Sequence, residues 1–154
     1  MPQIARASLS FWGNLLIRLI LAATFVYAAV SKIMDPVSFE ASLLTFRLLP
    51  LPLVPLMALT LPFVEFWAGL FTLLGPPAFR RAGAFILAAL LAVFIVAVTV
   101  SHFRGLNFNC GCFGANSLKE PDFLFYARDF ILLFLALWAA GLLPRKGALR
   151  KKAA

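Results

Sequence analysis

Apolar residues run in four long blocks, at about 11–31, 51–74, 82–102 and 123–143, and polar residues gather between them. Each block is close to the ~20 residues an α-helix needs to cross a hydrocarbon core about 30 Å thick. The polar exceptions inside the blocks are few: Asn14 and Arg18 in the first, Glu65 in the second, Arg128 and Asp129 near the start of the fourth. Periodicity cannot separate helix from strand here, because a lipid-facing helix is apolar nearly all round. Length and flanking charge decide instead. The pattern predicts an all-α chain, an integral membrane four-helix bundle built as a single domain over residues 1–154.

Composition agrees with that expectation. Hydrophobic residues make up 63% of the chain and charged residues 13%, against roughly 45–50% and 25% in soluble domains. A bilayer is the solvent that suits this surface. The formal charge of +8 does not point to nucleic acid, since no basic face interleaved with aromatics exists. The basic residues instead report topology. Eight lie in the N-terminal tail, the second connection and the C-terminal tail "RKGALRKKAA"; four (Lys32, Arg47, Arg104, Lys119) lie in the first and third connections. The positive-inside rule then predicts both termini in the cytoplasm of a bacterium, and the third connection on the outer face of the inner membrane. That compartment is oxidising. The first block carries Arg18 and is followed by three more blocks, so it reads as a retained helix rather than a cleaved signal peptide. The stretch "RLLPLPLVP" (47–55) reads as an extended entry to the second span, and "GPP" (75–77) as its stop.

The third connection holds the only two cysteines, in "NCGCFGAN" (109–116). Cys110 and Cys112 can bridge only if the backbone turns tightly, which the intervening Gly111 permits. A ring so small is strained and readily reduced, and as a staple it would close almost no chain. A redox pair therefore fits better than a structural bond. Two alternatives stay open: a pair of unlinked small hydrophobes, and a two-thiolate Cu(I) clip. A closed zinc site needs four ligands, so no metal is expected. His102 closes the third block and is a candidate proton shuttle, although an interfacial histidine bonded to a carbonyl would look the same. Nearby Arg104, Lys119 or Arg128 would lower a thiol pKa.

Glu65 falls near the middle of the second block, where an isolated charge is expensive. It should face the bundle interior, with Arg18 the basic partner nearest in depth. Its role is either a structural ion pair or a relay. Arg128 and Asp129 are adjacent and point about 100° apart on a helix. They should not pair face to face, which leaves Lys32 as a candidate partner for Asp129.

These motifs together resemble the methylamine utilisation protein MauE family, within the DoxX-like group of four-helix membrane proteins. The matching stretches are "AAVSKIMDP" (Lys32, Asp35, Pro36), "PFVEFWAGLFTLLG" (Pro62, Glu65, Gly69, Gly75), "CGCFG" and "ARDF" (Arg128, Asp129). The resemblance implies work beside a periplasmic thioredoxin-like partner in maturing disulfide-rich secreted proteins, such as a methylamine dehydrogenase small subunit. Cys110 and Cys112 would be the exchange pair. The chain has one cysteine pair, so the partner must supply the other. A quinone among the aromatic-rich helices is the candidate cofactor. Two other classes compete: a non-catalytic membrane subunit or assembly factor of a respiratory or dehydrogenase complex, and Cu(I) handling. The topology is testable directly. A membrane-impermeant maleimide added to reduced, intact spheroplasts should label Cys110 and Cys112; labelling only after lysis would invert the predicted orientation.

Overall fold

The computed structural model describes residues 2–104 and 123–142, with side chains from Trp12 onward except those of residues 123 and 125. Among the described residues every element is helical. α1 spans Pro2–Met34, α2 Pro36–Phe46, α3 Val54–Leu74, α4 Pro77–Phe103 and α5 Phe123–Ala140. A 3-10 turn at Leu51–Leu53 leads into α3.

Local chemistry sets the boundaries. Asp35 ends α1 and caps α2: its carboxylate accepts the Ser38 N–H at 3.1 Å, and Pro36 occupies the first turn, where a missing N–H costs nothing. Hydrogen bonding from Ser38 holds the exposed Asp35 carboxyl below the ordinary carboxylate range. α2 closes at Arg47, which takes the left-handed conformation at φ 48° and donates its N–H to Leu44 O. A non-glycine residue pays roughly 1–2 kcal/mol for that geometry. Helix α2 corrects the expectation of a plain connection between the first two spans. The proline stretch at 47–55 is likewise not extended throughout. Pro52 lies in the 3-10 turn, and Pro55 sits in the first turn of α3, the part of a helix that tolerates proline. Gly75 and Pro76 are extended and stop α3. α4 then begins at Pro77, earlier than the apolar block suggested, because Arg80 folds back to donate to the Gly75 carbonyl.

α1 packs on α3, α3 on α4 and α4 on α5, which also touches α1. One core joins all four: Leu21 and Phe25 of α1, Ala68 of α3, Leu87 and Leu91 of α4, and Leu132 of α5. Small residues let the helices approach closely, as expected where lipid removes the hydrophobic drive between helices. At Gly69 an added Cβ would lie 3.3 Å from Val26 Cγ2. At Gly83 it would lie 2.7 Å from both the Ala68 carbonyl and Thr72 Oγ1. α2 lies across the end of the stack, with Phe39, Ser42 and Phe46 buried. The C-termini of α1 and α4 and the N-termini of α3 and α5 share this α2 end, where Phe46 and Val98 pack with Phe94 and Tyr126.

Three stretches are long and apolar enough to cross a membrane: Trp12–Met34, Leu51–Leu74 and Pro77–Phe103. α5, with 18 residues, is about 27 Å long. Outward-facing Phe63, Trp67, Val93, Val96 and Phe134 are exposed, a surface made for hydrocarbon rather than water. The tight α3–α4 seam predicts a sharp contrast between two glycines. Gly83→Ala should cost about 1–3 kcal/mol by overpacking. Gly13→Ala, which meets nothing within 4 Å, should be neutral or slightly stabilising. Denaturation in detergent micelles followed by circular dichroism reads both; equal stability would mean the helices do not meet at Gly83.

Candidate functional site

Lys32 lies in the last turn of α1, where a cation is favoured by the helix dipole. Its side chain leans back toward the α1 N-terminus, as helical side chains do, and this carries the ammonium down to α3. There Nζ donates to both carboxylate oxygens of Glu65, at 2.7 Å and 2.6 Å. Each residue is 7% exposed. α2 completes the enclosure with the Phe39 ring, whose centroid lies 5.0 Å from Nζ. An ammonium has three donors; two go to carboxylate oxygens and an aromatic face covers the cation. The pair therefore carries its charges inside the stack with little left to satisfy.

This geometry corrects two expectations. Glu65 pairs with Lys32 rather than Arg18, which lies about 21 Å back along α1 from Lys32 and is half-buried. Lys32 in turn does not serve Asp129. Depth counted from sequence placed Lys32 at an outer rim. Gly69 packs on Ala22, Phe25 and Val26, and that register carries Glu65 to within one turn of Lys32.

Asp129 finds a nearer partner. Its Oδ1 accepts from Arg128 Nε and Nη2, both at 3.0 Å. Adjacent residues do leave the helix about 100° apart, but the arginine side chain is long enough to curl sideways. The Arg128 side chain stays 39% exposed while that of Asp129 is 4% exposed. The other carboxylate oxygen, Oδ2, is buried and has no hydrogen-bond partner among the described residues; the same holds for Ser101 Oγ near the end of α4. His102 is exposed, its ring edge-on to Phe103 with centroids 6.4 Å apart. Cys110 and Cys112 lie outside the described residues, in the stretch that leaves α4 and re-enters at α5.

Sequence reasoning did not single out Phe39 or Ser101. For Phe39 the signal existed: an Asp-Pro pair opening a helix places Phe39 one turn inside it. For Ser101 there was only its position beside His102.

The profile of the methylamine utilisation protein MauE family matches residues 10–142, nearly the whole chain and every site residue named above. The chain belongs to the MauE family. It is 38% identical over 130 residues to the methylamine utilization protein MauE of Paracoccus denitrificans, covering 83% of this chain and 68% of that relative. It is 34% identical over 147 residues to the protein of that name from Paracoccus versutus, covering 94% of this chain and 75% of the relative. No solved structure matches. Apolar helices and membership together make this a MauE-family membrane protein.

The buried pair makes a stability prediction. Lys32→Met or Glu65→Leu alone leaves an uncompensated buried charge and should cost about 3–5 kcal/mol. The double variant removes both charges and should cost less than either single one. Thermal unfolding in detergent measures all three, and strictly additive losses would show that the two side chains do not interact.

Proposed function

We propose that this MauE-family protein is a thiol–disulfide component of the bacterial inner membrane, exchanging disulfides through Cys110 and Cys112 with a periplasmic thioredoxin-like protein. The observation that carries the reading is membership in the MauE family with both cysteines inside the matched stretch. In this reading α5 is a fourth span, both termini are cytoplasmic, and the segment between α4 and α5 faces the periplasm. The described residues on either side of that segment, the end of α4 and the start of α5, both lie at the α2 end of the stack.

The exchange balances simply. A thiolate of the reduced partner attacks the Cys110–Cys112 disulfide and forms a mixed disulfide. The partner's second thiolate resolves it, leaving an oxidised partner and two thiols here. Restoring the disulfide requires a two-electron, two-proton acceptor for those thiols, which a membrane quinone would supply. The oxidised partner serves the maturation of periplasmic proteins, the methylamine dehydrogenase small subunit among the candidates. His102, exposed at the end of α4, is the candidate proton shuttle in this reading.

Replacing either cysteine by serine should trap the mixed disulfide, visible on non-reducing gels as a conjugate with a thioredoxin-fold protein. If alkylation in cells instead finds both thiols permanently reduced, the exchange reading fails. Full function of the double serine variant would favour a non-catalytic assembly subunit. Stoichiometric Cu(I) bound to the purified protein and lost from that variant would favour copper handling.

A further inference from the structure

Among the described residues, two buried side-chain polar atoms stand out for having no hydrogen-bond partner, Ser101 Oγ and Asp129 Oδ2. Ser101 is 0% and Asp129 3% exposed. A buried polar group without a partner is costly, and a carboxylate oxygen in an apolar stack more so. The two atoms belong to facing helices. Val98 of α4 lies in one cluster with Tyr126 of α5, while Ala84, Leu87, Ala88 and Leu91 meet Leu132, Ala136 and Ala139 further in. This antiparallel register puts Ser101 level with the first turn of α5, Tyr126 level with Val98, and Asp129 level with Ile95. Ser101 follows Val98 by three residues, and Tyr126 precedes Asp129 by three, so each pair shares a helix face. Ser101, Tyr126 and Asp129 thus come at successive levels of the α4–α5 contact. They step inward from the α2 end over about 9 Å. Successive residues are about 4.5 Å apart along the axis, and bridging waters would complete the connection between their side chains.

We propose that the α4–α5 seam is a proton-transfer path that opens at the α2 end and terminates on Oδ2 of Asp129. The neighbouring charges leave this role to Asp129. On α1 and α3, Lys32 and Glu65 are bound to each other. On α4, His102 is exposed beyond the buried stretch. On α5, Arg128 holds only Oδ1. Arg128 fixes the carboxylate in place and leaves its second oxygen to take the proton.

The use of the path rests on the thiol reading above. Oxidising two thiols releases two electrons and two protons, which a two-electron acceptor such as a membrane quinone would take up. Asp129 Oδ2 holds one of those protons after its release and returns it along the same seam. The path itself does not depend on that reading, since its mouth and terminus lie in α4 and α5.

Two measurements on the full chain in lipid nanodiscs separate the ideas. The first uses the Cys110→Ser/Cys112→Ser variant and infrared difference spectra recorded across a pH titration. A carbonyl band of a protonated carboxylic acid should appear as pH falls, vanish in an added Asp129→Asn change, and shift promptly on transfer to D2O. Tyr126→Phe and Ser101→Ala, both mild changes, should leave the band in place but slow its shift in D2O. Absence of an Asp129 band, or unchanged exchange in Tyr126→Phe and Ser101→Ala, overturns the path. The second follows reduction of a short-chain quinone by the reduced wild-type chain. Asp129→Asn should slow it about a hundredfold, the usual scale for a lost proton-transfer group, and flatten its pH profile. An unchanged rate in Asp129→Asn also overturns the proposal. If the wild-type chain does not reduce the quinone while the infrared result holds, the thiol reading fails and the path stands.

Discussion

Lys32 brings a full positive charge into an apolar stack, and the surrounding elements are arranged to neutralise it. α1 supplies the ammonium from its last turn, α3 presents both carboxylate oxygens of Glu65 within 2.7 Å, and α2 closes over it with Phe39. In hydrocarbon neither charge can be left alone. The pair therefore fixes how far α3 slides along α1, because a shift of one turn would separate the two charged tips. It also gives α2 a reason to stay docked: if Phe39 moved away, the cation would lose its aromatic cover. Buried pairs are often weak contributors to net stability, and their better-attested use is to specify register. That role fits here, since apolar helix faces in lipid resemble one another and need a specific contact to select one alignment.

Close packing supplies the complementary constraint. Gly83 sits against the Ala68 carbonyl and the Thr72 hydroxyl, which itself donates to Ala68 O at 2.7 Å. A methyl group has no room there. The polar pair thus sets the α1–α3 register, and steric fit sets the α3–α4 approach. α5 follows by packing its Leu132 and Ala136 against α4. Gly69, lying against Val26, brings α1 and α3 close enough for Lys32 to reach Glu65. Packing and electrostatics at that seam depend on each other.

The four long helices were legible in the sequence because length and charge are robust signals in a chain this apolar. The pairing was not. Counting depth from the ends of apolar blocks assumes that each connection lies at the interface, which placed Lys32 at a rim and left Arg18 as the partner of Glu65. Helix α2 breaks that assumption. Its eleven residues stand between α1 and α3 in the chain, and the register of Gly69 on Ala22, Phe25 and Val26 sets the end of α1 beside α3 rather than at its tip. The cue was the Asp35-Pro36 cap, a short signal set among apolar residues. Arg128 and Asp129 were misjudged for another reason. The 100° rule describes where Cβ atoms point, whereas the guanidinium tip of an arginine sweeps wide enough to reach its neighbour.

Among the described residues, the two buried acidic groups differ in what they have left to offer. Glu65 spends both oxygens on one ammonium, and any change in its charge would strand Lys32. Such a group holds structure well and moves protons poorly. Asp129 spends one oxygen on an arginine that is itself partly exposed, and keeps the other for use. A carboxylate that exchanges protons needs an acceptor site not already filled, a nearby cation to fix its position, and a route out. Asp129 meets the first two directly, and the α4–α5 seam supplies the third. The same stack thus separates holding from transfer: the satisfied pair lies deeper, between α1 and α3, and the unsatisfied carboxylate lies nearer the end where the cysteine segment attaches. Exchanging those positions would put a mobile proton beside the charge that sets the α1–α3 register, and each turnover would loosen the fold.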